Sequence, residues 1–98
     1  MNKIYFTITG MQFRHGTDFL ERGDAVKLIK EPDNEYDKEA IRVEMDGLGL
    51  VGYVANSVHT VVGESYSAGR LYDHVKENST GKVLYIMKNC ALCELQKK

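Results

Sequence analysis

Short segments of alternating apolar and polar residues recur along this chain and leave few folds open to it. In the first segment, Lys3 to Thr9, the residues Ile4, Phe6 and Ile8 share one face of an extended chain. Alternation at period two is typical of a strand with one buried face. Ala25 to Lys30 and Ala40 to Met45 predict strands in the same way. Three further strands are expected from the hairpin signals beside them: Leu48 to Val54, Lys82 to Met87 and Ala91 to Leu95.

The residues between these segments predict tight turns and short helices. Asp46-Gly47 favours a two-residue type I′ hairpin, in which both central positions have positive φ, and Lys88-Asn89 favours a closing hairpin. A helix is expected from Asn56 or Ser57 to Gly63, where Val58, Val61 and Val62 have helical spacing. A further helical turn or two is expected within Ser67 to Val75. Because neither repeat nor linker is evident, residues 1–98 are expected to form one domain, a small antiparallel barrel or curled sheet.

Composition and charge exclude several classes of function. A net charge of −1 and a pI near 6.3 argue against coating duplex nucleic acid, so any nucleic-acid site must be local. The sequence contains no long apolar run and no signal-peptide progression, which predicts a cytoplasmic protein with no membrane contact. Cys90 and Cys93 lie in an apolar run and are expected to be reduced thiols.

Catalytic, metal and cofactor motifs are weak. Residues 47–52 match a dinucleotide fingerprint, but the predicted hairpin lacks the long helix that this fingerprint needs. Alternate acidic residues from Asp33 to Glu39, with Glu44, have calcium-loop spacing, although Lys38 takes the position that needs glycine. Calcium stays an open alternative to a solvated acidic turn. We expect no enzyme activity, no cofactor and no metal, because no nucleophile comes with an adjacent base.

Two loops carry aromatic and cationic residues of the kind that bind single-stranded nucleic acid. The glycine-bounded loop from Gly10 to Gly16 contains Phe13, Arg14 and His15, and the acidic turn contains Tyr36. Aromatic rings stack on bases and cations contact phosphates. The alternative is that Phe13 is a core residue, as Tyr53 on the predicted strand from Leu48 to Val54 is under the same interpretation.

One stretch resembles a known family, the HIRAN domain. The family pattern is a Glu/Asp-Pro-x-Asn-x-Tyr-Asp-x-x-Ala-Ile-x-Val segment followed by a Gly-Tyr/His strand. The matching residues are Glu31-Pro32-Asp33-Asn34-Glu35-Tyr36-Asp37-Lys38-Glu39-Ala40-Ile41-Arg42-Val43 and Val51-Gly52-Tyr53-Val54. The resemblance covers roughly the first two-thirds of the chain.

The resemblance implies a mainly β fold (α+β by some counts), an OB-like antiparallel barrel of five or six strands with one or two short helices. It also implies a non-catalytic module, attached to remodelling helicases and nucleases or standing alone in bacteria. In helicase-attached members the domain captures the 3′ end of single-stranded DNA. By analogy, Tyr36 stacks on the terminal base, Asp37 accepts a hydrogen bond from the 3′-hydroxyl, and Phe13 and Tyr53 line the pocket.

Two positions depart from DNA-binding members of the family. Gln12 stands where those members have arginine, and Asn56 stands where they have lysine. The predicted DNA-binding residues are therefore Gln12, Phe13, Arg14, Tyr36, Asp37, Lys38, Tyr53 and Asn56. The alternative function is a protein-interaction module that binds a peptide, or a partner such as a helicase or nuclease, through the same pocket or a strand edge.

Overall fold

Six strands form the body of the protein in a computed structural model that describes residues 3–57 and 59–96, without the side chain of Phe13. The strands are β1 (Tyr5–Thr9), β2 (Ala25–Lys30), β3 (Ile41–Met45), β4 (Gly49–Val54), β5 (Thr80–Ile86) and β6 (Ala91–Gln96). They pair in the order β1-β4-β3-β2-β5-β6, each pair is antiparallel, and β6 pairs back onto β1. The sheet is thus a closed barrel, which confirms the predicted fold class.

The interior of the barrel is built from the apolar positions of the alternating segments. Phe6 and Ile8 of β1 are fully buried, and buried residues from each of the other five strands join them in a single core. The buried hydrophobic residues of β2 to β6 are Val26, Leu28, Ile41, Val43, Val51, Val54, Val83, Ala91 and Cys93. Removal of these side chains from water is the main favourable contribution to folding.

A short helix, α1 (Ala68–Leu71), packs against this core and is followed by one turn of 3-10 helix, Tyr72–His74. Ala68 and Leu71 are buried within the same core as β1. The Ser67 hydroxyl caps the helix by accepting a hydrogen bond from the Arg70 N–H at 3.3 Å. The helical turns expected within Ser67 to Val75 are therefore confirmed.

The helix expected from Asn56 or Ser57 to Gly63 is wrong. The described residues of this segment form turns, in which the Thr60 and Val61 N–H groups both donate to the Ser57 carbonyl at 3.0 Å. Val58 lies outside the described residues. Valines are weak helix formers, and the buried hydroxyl of Thr7 accepts the Val62 N–H at 3.1 Å, which satisfies the backbone without a helix.

The Asp46-Gly47 hairpin is present, but its predicted turn type is wrong. Met45 pairs with Gly49, so the loop has three residues, and the Leu48 N–H donates to the Met45 carbonyl at 3.1 Å. The left-handed positions are Gly47 (φ 86°) and Gly49 (φ 71°), not Asp46. A loop of this length places glycine where the left-handed conformation is required.

The two cysteines are free. Cys93 is buried in β6, and burial raises the pKa of its thiol to about 12, whereas Cys90 is partly exposed in the preceding hairpin. Within residues 3–57 and 59–96, no three histidine, cysteine or acidic side chains are grouped to hold a metal ion. In the same part of the chain, no helix is long and apolar enough to cross a membrane.

Candidate functional site

The loop between β2 and β3 is held in one conformation by Asn34. The Asn34 Oδ1 accepts the N–H groups of Tyr36 at 2.8 Å and Asp37 at 3.0 Å, and its Nδ2 donates to Glu31 Oε1 at 2.9 Å. The Glu31 N–H donates to the Ala40 carbonyl at 2.8 Å and closes the base of the loop. An asparagine side chain that bonds the backbone two and three residues on is a standard turn-forming device.

Tyr36 is presented to solvent by this loop. Its side chain is 94% exposed, although tyrosine usually buries most of its ring in a fold. The ring contributes little to the packing of the barrel, whereas a flat exposed aromatic face is suited to stacking.

The Asp37 carboxylate is fixed by two hydrogen bonds. Its Oδ1 accepts the Glu39 N–H at 2.9 Å, and its Oδ2 accepts a hydrogen bond from Asn56 Nδ2 at 2.9 Å. The Asn56 Oδ1 in turn accepts the Gly69 N–H of α1 at 2.9 Å. Asn56 therefore joins the loop to the helix and holds the carboxylate at a defined position.

Glu31 connects the loop to the barrel wall. The Tyr53 hydroxyl donates to the two Glu31 carboxylate oxygens at 3.0 and 3.1 Å, and Arg42 Nη1 lies 3.3 Å from Oε2. Burial alone would raise the pKa of Glu31, but hydrogen bonds from Asn34 and Tyr53 and the charge of Arg42 outweigh it, so the pKa lies below its ordinary value. Burial and the bond to Glu31 raise the pKa of Tyr53.

These side chains surround an open pocket of about 650 Å³. Its walls come from the β2–β3 loop, the end of β4, the following turns and the loop after β1. The lining residues are Arg14, Asn34, Tyr36, Asp37, Ala40, Tyr53, Val54, Asn56, Ser57 and Thr60. The pocket thus combines an exposed ring, a fixed carboxylate and a phenol.

The structure brings most of the predicted site residues to this pocket. Arg14, Tyr36, Asp37, Tyr53 and Asn56 line it. Tyr53 is half-buried, with its hydroxyl on Glu31. Gln12 and Lys38 are exposed and are not among the described lining residues, and the side chain of Phe13 lies outside the description.

Sequence reasoning did not include Glu31 in the site, nor Asn34, Ala40, Val54, Ser57 and Thr60. Asn34 had a usable signal, because an asparagine two residues before an exposed aromatic favours a turn that orients the ring. Glu31 was visible only as the first residue of the motif, since its partner Tyr53 is distant in sequence.

The fold and the site together define a small closed β-barrel that carries a surface pocket in its loops. The family model of the HIRAN domain matches residues 1–92, and the chain belongs to that family. The chain is also similar to the crystal structure of the HIRAN domain of human HLTF, with 21% sequence identity and a TM-score of 0.65 over 96% of this chain and 73% of that chain. This likeness shows the fold. No curated protein matches the sequence.

Proposed function

We propose that the protein is a non-catalytic binding module whose pocket receives the 3′ end of single-stranded DNA. The observation that carries the proposal is the pairing of the exposed Tyr36 ring with the fixed Asp37 carboxylate at one pocket. Family membership supports it, because the motif that includes these two residues is complete in this chain.

The chemistry of the two residues is complementary at a strand terminus. The Tyr36 ring stacks on the last base, a contact worth about 1–3 kcal/mol in single-strand binding proteins. Each Asp37 oxygen already accepts one hydrogen bond and has a further lone pair, so the carboxylate can accept the 3′-hydroxyl proton. A 3′-phosphate lacks that neutral donor and is repelled by the carboxylate charge.

Fluorescence anisotropy with 5′-labelled oligonucleotides tests this proposal. A 3′-hydroxyl end is expected to bind at least about tenfold more tightly than a 3′-phosphate end, because the phosphate end loses one charge-assisted hydrogen bond. Asp37→Asn is expected to remove that preference, and Tyr36→Ala is expected to lower the affinity for both oligonucleotides. Asp33→Asn is the matched control, because it removes one exposed carboxylate from the same loop outside the pocket lining. Equal binding of the two ends would refute the proposal.

The alternative, a protein-interaction module, has one of its two routes, binding at a strand edge, restricted by the closed barrel. In the closed barrel each of the six described strands has a paired neighbour on both sides, so no strand offers a full-length free edge to a peptide, although β4 pairs with β1 through Tyr53 and Val54 alone. The pocket route is favoured by one observation, the run of acidic residues from Glu31 to Glu39, which suits a basic peptide. A pull-down that captures a helicase or nuclease through the pocket after nuclease treatment, and fails with Tyr36→Ala, would support it.

A further inference from the structure

The strand β2 is longer than its pairing with β5. Its register with β5 covers Ala25 to Lys27, and the Leu28 N–H then donates to the Ser79 carbonyl at 3.0 Å. On its other side, β2 pairs with β3 as far as Lys30. The end of β2 therefore has one paired edge and one edge that β5 does not cover.

A tight turn carries the chain away from this edge. The Ser79 N–H donates to the Lys76 carbonyl at 3.1 Å, and Asn78 within the turn has a left-handed φ of 64°. Because backbone groups alternate in direction along an antiparallel strand, the N–H and C=O groups of Lys30 point to the same side as the Leu28 N–H. In the described part of the chain, no residue pairs with Lys30 on that side.

A cleft of about 590 Å³ lies beside this edge and is here called the β2 cleft. One wall is formed by residues 28–30 of β2 and the other by residues 75–78. Its volume falls within the range of roughly 300–1,000 Å³ that is common for binding sites. An extended peptide that lies against β2 adds a strand to the sheet, and its main-chain hydrogen bonds supply affinity.

Two lysines and one glutamate give the β2 cleft its charge. They are Lys30, Lys76 and Glu77. The Lys30 ammonium lies 4.3 Å from the centroid of the Tyr72 ring, a cation–π contact that positions the charge without neutralising it. Of the ion pairs within the described residues, none involves either lysine. The excess of positive charge favours a ligand that carries carboxylates.

The side chains of β2 determine which residues suit such a ligand. Ile29 is 40% exposed on the outer face of the barrel, whereas Lys30 lies on the opposite face of the strand. Directly opposed residues of an antiparallel pair have Cβ atoms about 4.5–5.5 Å apart. An apolar residue therefore fits opposite Ile29, and an acidic residue fits opposite Lys30.

We infer that the β2 cleft binds an extended segment of a partner protein, in which apolar and acidic residues alternate, as a short antiparallel strand beside residues 28–30. The segment takes the place that β5 leaves when it turns away at Ser79. The inference does not depend on the proposed function, because residues 28–30 and 75–78 are not among the described lining residues of the pocket at Tyr36.

Amide NMR spectra of the isotope-labelled protein test the inference, with an acetylated hexapeptide of alternating valine and glutamate as the probe. The peptide is expected to shift the amide signals of residues 28–30 and 75–79 with a Kd below about 1 mM. A hexapeptide of alternating valine and lysine is expected to bind at least about tenfold more weakly, because the lysines of the cleft repel it. Equal binding of the two peptides would overturn the inference.

N-methylation of the peptide distinguishes strand addition from attraction by charge alone. The residue opposite Lys30 directs its N–H and C=O groups to β2, so methylation of the glutamate nitrogens is expected to abolish binding. Methylation of the valine nitrogens is the matched control, since these N–H groups point away from β2, and Kd is expected to stay within about threefold. Equal effects of the two methylations would contradict an added strand.

Substitutions in the protein locate the charges. Lys30→Gln and Lys76→Gln are each expected to weaken binding about two- to fivefold, and Glu77→Gln is expected to strengthen it about twofold. Lys82→Gln removes an exposed cation of β5 outside the cleft lining and should leave Kd unchanged. An effect of Lys82→Gln as large as that of Lys30→Gln would refute the inference. Shifts at residues 28–30 with a thymidine hexanucleotide but not with the peptide would also refute it, because the lysines would then serve phosphates.

Discussion

Glu31 connects two walls of the pocket through hydrogen bonds. Its carboxylate accepts hydrogen bonds from Asn34 within the loop and from Tyr53 on β4, two residues that are distant in the sequence. Arg42 balances its charge. Glu31 lies behind the pocket and orients two of its walls, which distinguishes it from Asp37, a lining residue.

Removal of the Tyr53 hydroxyl measures the strength of this connection. Tyr53→Phe is expected to lower the free energy of unfolding by about 1–2 kcal/mol, because a hydrogen bond to a carboxylate is lost in a partly buried setting. Urea denaturation gives the value. Tyr85→Phe is the control, since that ring is 56% exposed and its change is expected to be within about 0.5 kcal/mol. Equal effects of the two substitutions would contradict the role of Glu31 as a connector.

The Glu31 carboxyl also predicts a pH dependence of stability. Its pKa is lower in the folded state than its ordinary value of 4.5, so its stabilisation is present above that value and is lost as the pH falls through the folded pKa. In the wild type the urea concentration at the unfolding midpoint is expected to decrease as the pH is lowered below about 4.5. The decrease is expected to be less steep in Glu31→Gln. Glu35→Gln, an exposed site in the same loop, should retain the wild-type slope. Parallel acid curves for the wild type and Glu31→Gln would refute this assignment.

At the scale of elements, the short pairing between β1 and β4 brings two backbones close together at Gly52. The two strands pair at Ile8↔Val54 and Thr9↔Tyr53. A Cβ built on Gly52 would lie 2.6 Å from the Thr9 carbonyl oxygen and 2.9 Å from Ile8 Cγ2. The backbone cannot yield there without separating the strands.

Two glycine substitutions test this close approach. Gly52→Ala is expected to lower the free energy of unfolding by about 1–3 kcal/mol, because the new methyl group meets backbone. Gly69→Ala is the matched control: its methyl group would lie 2.8 Å from Glu39 Oε1, the end of a flexible side chain, and alanine favours the helix. Urea denaturation should show no loss for Gly69→Ala. A similar loss in both variants would contradict the close approach of the two backbones.

Local patterns were sufficient for the strands and insufficient where distant groups decide the conformation. Alternation predicted β1, β2 and β3, and the turn signals at Asp46-Gly47 and Lys88-Asn89 predicted the strands that pair beside them. The turns after Asn56 were not predicted because the Val62 N–H donates to Thr7, a residue far away in the sequence. Tyr36 and Asp37 were predicted through the motif, whereas the hydrogen bonds of Asn56 to Asp37 and Gly69 depend on tertiary proximity.

At the scale of the whole molecule, closure of the barrel by β6 controls access to the interior. The β6 strand pairs with β1 on one side and β5 on the other. Cys93 lies in β6 opposite Phe6 and Val83 and is fully buried, so a reagent reaches its thiol only when the strand detaches. Cys90 lies outside the strand pairing and is partly exposed.

The reactivity of Cys93 therefore reports opening of the barrel. With iodoacetamide near pH 8, mass spectrometry is expected to show rapid modification of Cys90 and modification of Cys93 at least about a thousandfold more slowly, the ratio set by an ordinary free energy of unfolding. Burial raises the pKa of both thiols, and that of Cys93 further, to about 12, which acts in the same direction because the thiolate is the reactive form. In a Cys90→Ser variant the reaction of Cys93 is measured alone. In the wild type, urea should accelerate the reaction of Cys93 until both thiols react at the same rate. Native-state rates that are equal for Cys90 and Cys93 would contradict a closed barrel.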